Sequence, residues 1–148
     1  MYQKLFKIRR RLFYRFHGKN EYSIHSQHVY NYYMTSYLPT IRSGQIPVIK
    51  EFQKWCRKEF PGCILVIYDL SNTGDLKRLK NDDKCNIKYE NDDNVIVMYL
   101  NINESPATLQ LWNQEMDTKN AGLSIETYYF GAIFYEEWFA KQKITLRN

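Results

Sequence analysis

Apolar residues recur at helical spacing near the start of the chain. Within residues 3–16, Leu5, Ile8, Leu12 and Phe16 are three, four and four residues apart. Because an α-helix turns once in about 3.6 residues, this spacing places the four side chains on one stripe. The segment is therefore predicted to form an amphipathic helix, with most of its basic residues outside the stripe.

A second helix is predicted to begin within the stretch "YSIHSQHVYNYY", where Ser23 or Ser26 can cap its first turn. Five large residues then follow the i, i+3, i+4, i+7, i+8 pattern of a buried helix face: Tyr30, Tyr33, Met34, Tyr37 and Leu38. Pro39 is expected to end the helix. Tyrosines beside arginines can stack on nucleobases, but packing of these rings against a sheet is the favoured interpretation.

The rest of the chain alternates helical patterns with apolar runs of strand length. Helices are predicted from Pro47 and from the pair Ser105-Pro106, and the runs "CILVIYDL" and "VIVMYL" are typical of buried strands. Weaker strands are predicted at "NIKYE" and "KITLR", and "LSIETYYFGAIFYEEW" indicates two strands. This order predicts an α/β fold with about five strands: a mostly parallel sheet, helices on both faces and an antiparallel C-terminal hairpin.

No linker rich in proline, glycine or serine divides the 148 residues. The expected organisation is a basic N-terminal helical extension over residues 1–20, followed by a single α/β domain over residues 21–148. No apolar run has the length of a membrane span, and no leader sequence is recognisable at the basic N-terminus, so a cytoplasmic location is expected.

The net charge of +5 is concentrated at one end of the chain, because residues 1–19 contain seven lysines and arginines and no acid. Such a segment can attract nucleic acid, anionic lipid or an acidic partner. The candidate contacts to an anion are Arg9, Arg10, Arg11 and Arg15. A helix face exposed to water is the alternative interpretation of the same run.

Catalytic and metal-binding patterns are weak. Cys56, Cys63 and Cys85 form no CxxC pair, and they are interpreted as buried thiols. His25 and His28 can share a helix face but have few potential ligands nearby in sequence. No catalytic residue and no metal site are predicted.

The N-terminal stretch "HGKNEYSIHSQHVYNYY" resembles the signature of a bacterial group of class I S-adenosylmethionine-dependent methyltransferase-like proteins. In that group the second helix typically begins with a Gly-x-His-Ser-Pro-Phe-Val-Tyr-like sequence. Four positions match here: His25, Ser26, Val29 and Tyr30. Gln27 and His28 replace the Pro-Phe pair.

The C-terminal part is similar to the same group. "VIVMYLNINESPATLQLWNQEM" resembles its strand, loop and tryptophan-bearing helix. "LSIETYYFGAIFYEEWFAKQKITLR" resembles its closing hairpin, with Gly131 expected at the turn and Lys141 and Gln142 in the tail. The resemblance covers roughly residues 12–38 and 95–147, and it implies a truncated Rossmann-like methyltransferase fold.

The resemblance also implies a cofactor site, but the matching motif is incomplete. The group carries a glycine-rich turn after its first strand, which lets the backbone approach S-adenosylmethionine closely. Here "DLSNTG" offers Asp69, Ser71 and Gly74, and Glu90 follows at a distance where an acid can bind ribose hydroxyls. These four residues are the candidate cofactor contacts, in a vestigial form of the site.

The sequence therefore favours a non-catalytic binding or assembly module that has lost S-adenosylmethionine binding, so no cofactor and no enzymatic activity are expected. Two alternatives stay open: a residual S-adenosylmethionine-dependent methyltransferase of unknown substrate, and a small basic nucleic-acid-binding protein. Because a shortened sheet exposes edge strands, a homodimer is the expected oligomer.

Overall fold

The computed structural model describes residues 1–19, 26–81, 95–118, 121–135 and 141–147. In these ranges the helices are α1 (Tyr2–His17), α2 (Gln27–Tyr32), α3 (Leu38–Thr40), α4 (Gln45–Glu59), α5 (Thr73–Asn81) and α6 (Pro106–Met116). A π-helical turn, Tyr33–Tyr37, joins α2 to α3, and a 3-10 turn, Ile41–Ser43, precedes α4. The strands are β1 (Ile64–Asp69), β2 (Val95–Leu100), β3 (Leu123–Glu126), β4 (Phe130–Phe134) and β5 (Gln142–Thr145).

The strands form one five-stranded mixed sheet in the order β1-β2-β4-β3-β5. β1 pairs with β2, and β3 with β5, in parallel. β4 pairs antiparallel to both β2 and β3, so the other four strands share one direction. The predicted α/β class is confirmed, with a mixed sheet.

Helices cover both faces of the sheet, and each face has its own core. On one face the side chains of α2, the π-helical turn and α4 pack against β2, β3 and β4. On the other face α5 and α6 pack against β1 and β2, with Trp112 fully buried. The apolar run that forms β2 is buried on both faces because the sheet is covered on both sides.

The C-terminal hairpin differs in register from the expectation drawn from the family resemblance. Gly131 does not lie at the turn but inside β4, opposite Tyr99 of β2 and Glu126 of β3. A Cβ atom there would lie 2.6–2.7 Å from three carbon atoms of the Trp112 ring. Gly131 is therefore the place where the indole ring of α6 lies directly on the sheet.

The predicted buried face of the second helix is confirmed at Tyr33 and Tyr37 and wrong at Tyr30, Met34 and Leu38. The buried side chains are Val29, Tyr32, Tyr33, Ser36 and Tyr37, whereas Tyr30, Met34 and Leu38 are each about 40% exposed. The difference is already present in α2, before the π-helical turn, because Val29 and Tyr32 are the residues that pack into the core on this face of the sheet. Pro39 also does not end the helix, since α3 includes it.

Other sequence-based boundaries agree closely with the structure. The side chain of Ser26 accepts a hydrogen bond from Val29 N and caps α2. Ser105 and Thr108 form the capping box that begins α6. The predicted strand "NIKYE" and the alternative cap Ser23 lie outside the described residues.

α1 lies across the carboxyl ends of β2, β3 and β5. Just after its C-terminus, the chain joins the sheet through Lys19, whose N–H donates to Thr145 O at 2.7 Å and whose carbonyl accepts from Arg147 N at 3.0 Å. A Cβ atom on Gly18 would lie 2.4 Å from Arg147 Cα and 2.5 Å from Tyr14 O. The backbone of the α1 terminus and that of the β5 terminus can therefore meet only with glycine at position 18.

No helix among the described residues is both long and apolar enough to cross a membrane.

Gly18→Ala is expected to destabilise the protein, since the added methyl group would overlap backbone atoms that have no room to move. Overpacking of this kind costs about 1–3 kcal/mol. Urea unfolding followed by circular dichroism measures the change. The matched control is Gly74→Ala in the first turn of α5, where the added methyl group would lie 3.2 Å from Asn72 Oδ1, a side-chain oxygen that accepts a hydrogen bond from Asp75 N. This substitution is expected to change the free energy of unfolding by less than about 1 kcal/mol, and equal effects of the two substitutions would contradict the proposed role of Gly18.

Candidate functional site

The turn after β1 is closed by its own side chains. Asp69 Oδ1 accepts hydrogen bonds from Ser71 N at 2.9 Å, Ser71 Oγ at 2.7 Å and Asn101 Nδ2 at 2.8 Å. Asp75 Oδ2 accepts from Asp69 N at 2.8 Å. Asp69 therefore holds together the ends of β1 and β2.

The electrostatics of Asp69 agree with this structural role. Partial burial alone would raise the pKa of its carboxyl group, but the hydrogen bonds donated by Asn101 and Ser71 outweigh burial and lower the pKa below its usual value. Gly74 lies within helix α5 rather than in an open glycine-rich turn. In this structure Asp69 and Ser71 are therefore hydrogen-bonded within the turn, and Gly74 is part of α5. Glu90 lies outside the described residues.

A buried polar network fixes α1 to the sheet. Arg10 Nε donates to Asn103 Oδ1 at 2.7 Å, and one terminal nitrogen of Arg10 lies 3.1 Å from Tyr14 Oη and 3.7 Å from Glu126 Oε2. Asn103 Nδ2 donates to Tyr14 Oη at 3.0 Å. Trp112 Nε1 donates to Glu126 Oε1 at 2.6 Å from the other side of the sheet. The network therefore connects α1, the loop after β2, the end of β3 and α6.

Burial shapes the chemistry of Tyr14 in this network. Desolvation is the largest effect, and it raises the pKa of the Tyr14 phenol. The negative charge of Glu126 raises this pKa further, whereas the positive charge of Arg10 acts to lower it. Tyr14 consequently stays protonated at neutral pH. Its role is that of a neutral hydrogen-bonding partner rather than a catalytic base.

An arginine-lined cavity of about 850 Å³ beside α1 is a further candidate site. Three arginines from distant parts of the chain line it: Arg11 of α1, Arg42 of the 3-10 turn and Arg147 after β5. Tyr33, Tyr129 and aliphatic side chains form the rest of the wall. The volume falls within the range of about 300–1,000 Å³ that is typical of small-molecule sites. We call this site the three-arginine cavity.

The charge of the three-arginine cavity is not neutralised within the described part of the chain, where no carboxylate lies within ion-pair distance of its three guanidinium groups. Gly44, which immediately precedes α4, also lines the cavity. In the part of the chain that the structure describes, no side chain caps the N-terminus of α4. The partial positive charge of this helix terminus therefore adds to that of the arginines.

The cavity is positioned by well-packed parts of the fold. Tyr33 is buried in the core of one sheet face, and Tyr129 Oη donates to Ile41 O at 2.9 Å. Arg147 follows the backbone junction at Lys19, and the guanidinium of Arg11 lies 5.4 Å from the centre of the Tyr128 ring. The walls are therefore rigid, while the arginine side chains themselves are exposed to solvent.

The four candidate arginines of α1 have different surroundings. Arg10 belongs to the buried network, Arg11 lines the three-arginine cavity, and Arg9 and Arg15 are exposed. The sequence-based analysis missed Arg42 and Arg147. No local pattern distinguishes these two arginines, because only the folded chain brings them to Arg11.

The other residues that the sequence raised as candidates, the histidines and cysteines, give weaker support for a functional site. His28 Nδ1 lies 3.1 Å from Glu59 Oε1, and His25 lies outside the described residues. Burial raises the pKa of the Cys56 and Cys63 thiols, which disfavours the reactive thiolate. Among the described residues, no group of three or more histidine, cysteine or acidic side chains could hold a metal ion.

Comparison of the chain with protein-family models, with curated proteins and with solved structures found no match.

Tyr14→Phe is expected to destabilise the protein by about 1–3 kcal/mol, because the buried groups of Arg10 and Asn103 would lose a hydrogen-bond partner. The matched control is Tyr37→Phe. The Tyr37 hydroxyl is buried and has no hydrogen-bond partner among the described residues, so its removal is expected to be neutral or stabilising. Thermal unfolding of both variants measures the difference, and a Tyr37→Phe variant at least as destabilised as Tyr14→Phe would refute the assignment of the network.

Proposed function

We propose that this chain is a non-catalytic binding module that resembles a shortened methyltransferase fold, and that its ligand is a small anionic molecule bound in the three-arginine cavity. The single observation that carries the proposal is the convergence of Arg11, Arg42 and Arg147 on one cavity without a neighbouring carboxylate in the described part of the chain. Guanidinium groups match phosphate and carboxylate geometry with paired N–H donors.

The cavity walls indicate what else the ligand contains. The half-buried Tyr129 offers a ring surface, and Leu38 and Ile41 offer aliphatic contacts. A ligand that combines a phosphate or two carboxylates with a planar or apolar part would use both kinds of wall. A bare inorganic anion would use only the arginines and the α4 terminus, so it should bind more weakly.

The arrangement of the strand ends supports a binding role over methyl transfer. In open α/β sheets, ligands bind outside the carboxyl ends of the strands. Here α1 lies across that edge, and Asp69 is engaged with Ser71 and Asn101. The cavity lies at the flank of α1, away from the contacts that a nucleoside cofactor would make with Asp69.

Titration calorimetry with the full chain tests the proposal, using pyrophosphate and adenosine triphosphate as probes of an anion without and with an aromatic part. Both are expected to bind, adenosine triphosphate more tightly. The double substitution Arg42→Ala with Arg147→Ala should lower the affinity at least about tenfold, because a hydrogen bond to a charged group contributes about 1.5–3 kcal/mol.

The matched control for this titration is the double substitution Arg9→Ala with Arg15→Ala, which removes the same charge outside the cavity. Its affinity for both probes should stay within about twofold of the parent, as the effect of distant exposed charges is screened by salt. Equal losses in the two double variants would show that binding follows net charge alone, and would overturn the cavity as the site.

Two further titrations separate the alternatives. Micromolar binding of S-adenosylmethionine or S-adenosylhomocysteine would contradict the non-catalytic assignment and favour a residual methyltransferase. Binding of a single-stranded oligonucleotide with a steep salt dependence, lost in the Arg9 and Arg15 variant, would favour the nucleic-acid-binding alternative.

A further inference from the structure

The predicted apolar stripe of α1 does not face the protein. Leu5, Ile8, Leu12 and Phe16 are 51%, 56%, 46% and 72% exposed. The opposite side of the helix holds it to the sheet through Arg10 and the fully buried Tyr14. α1 therefore presents a continuous line of large apolar side chains to solvent along its whole length, about 24 Å at 1.5 Å per residue. We call this surface the α1 stripe.

Basic residues border the α1 stripe on both sides. At about 100° per residue, Arg9 falls on one side of the stripe, and Lys4 and Arg15 fall on the other. None of the three forms an ion pair with another described residue. Their aliphatic stems can lie along apolar surface while their charges reach outward.

The charges beside the α1 stripe indicate which kind of surface can cover it. α1 contains no acidic residue, so pairing two copies of the stripe would bring like charges together. A surface that is apolar inside and negatively charged at its boundary matches both features at once. An anionic lipid bilayer has this composition, and an amphipathic helix that lies in its interface buries the apolar face below the headgroups.

We propose that the α1 stripe is a peripheral docking surface for anionic membranes. Leu5, Ile8, Leu12 and Phe16 enter the boundary between headgroups and acyl chains, while Lys4, Arg9 and Arg15 contact the lipid phosphates. The rigid attachment of α1 through Gly18 and Arg10 orients the whole domain on the bilayer. This surface is separate from the three-arginine cavity, so the two activities can be lost independently.

Sedimentation of the full chain with vesicles tests the proposal, using phosphatidylcholine alone and phosphatidylcholine with about one third phosphatidylserine. The parent chain should sediment with the anionic vesicles and not with the neutral ones. The stripe variant replaces four exposed apolar residues with glutamine: Leu5, Ile8, Leu12 and Phe16. It should lose at least about tenfold in vesicle binding and keep the circular dichroism spectrum of the parent.

A pair of charge variants separates local from overall charge. Replacing Lys4, Arg9 and Arg15 with glutamine should weaken binding to the anionic vesicles at least about tenfold. The matched control replaces Lys50, Lys77 and Lys80, which are exposed on α4 and α5, and removes the same net charge. Its binding should be unchanged.

Four results would overturn the proposal. The first is undiminished vesicle binding by the stripe variant, and the second is absence of vesicle binding by the parent chain. The third is a dimer in vesicle-free buffer that the stripe variant abolishes, since a second copy would then cover the stripe. The Arg42→Ala, Arg147→Ala variant should bind vesicles like the parent, and its failure to do so would assign membrane binding to the cavity instead.

Discussion

The buried polar network that joins Arg10 to Asn103, Tyr14 and Glu126 is the constraint on which the arrangement of the strand ends depends. The side chains of Arg10 and Glu126 are largely buried, at 15% and 10% exposure, and the Glu126 carboxylate also accepts from the Trp112 indole. Breaking a buried pair by removal of one partner leaves an uncompensated charge and costs about 3–5 kcal/mol. An N-terminal helix that would otherwise be an independent appendage is thereby fixed across the sheet.

The position of α1 has two consequences for function. It covers the edge of the sheet where α/β proteins usually hold their ligands, and it places Arg11 beside Arg42 and Arg147. The same docking turns the opposite side of the helix, with its apolar stripe, toward solvent. The docking of α1 on the sheet thus organises both the cavity and the outer surface.

The sequence predicted the parts of the fold that depend on local pattern. The strand Val95–Leu100 follows from six consecutive apolar residues, and the start of α6 follows from the pair Ser105-Pro106. The three-arginine cavity could not be predicted, because its arginines lie more than 100 residues apart at the extremes. The exposure of the α1 stripe could not be predicted either. It depends on the contacts of Arg10 and Tyr14 with residues far away in the sequence, and the spacing of apolar residues does not reveal such contacts.

The π-helical turn Tyr33–Tyr37 has an evolutionary consequence. Such a turn accommodates one extra residue within a helix while the flanking turns keep their contacts. A homologue lacking one residue between Tyr32 and Leu38 would therefore have an unbroken α-helix over a similar core, with the same neighbours for Phe52 and Trp55. Alignments of related chains should accordingly allow a single-residue gap at this point, inside a helix, where gaps are normally penalised most.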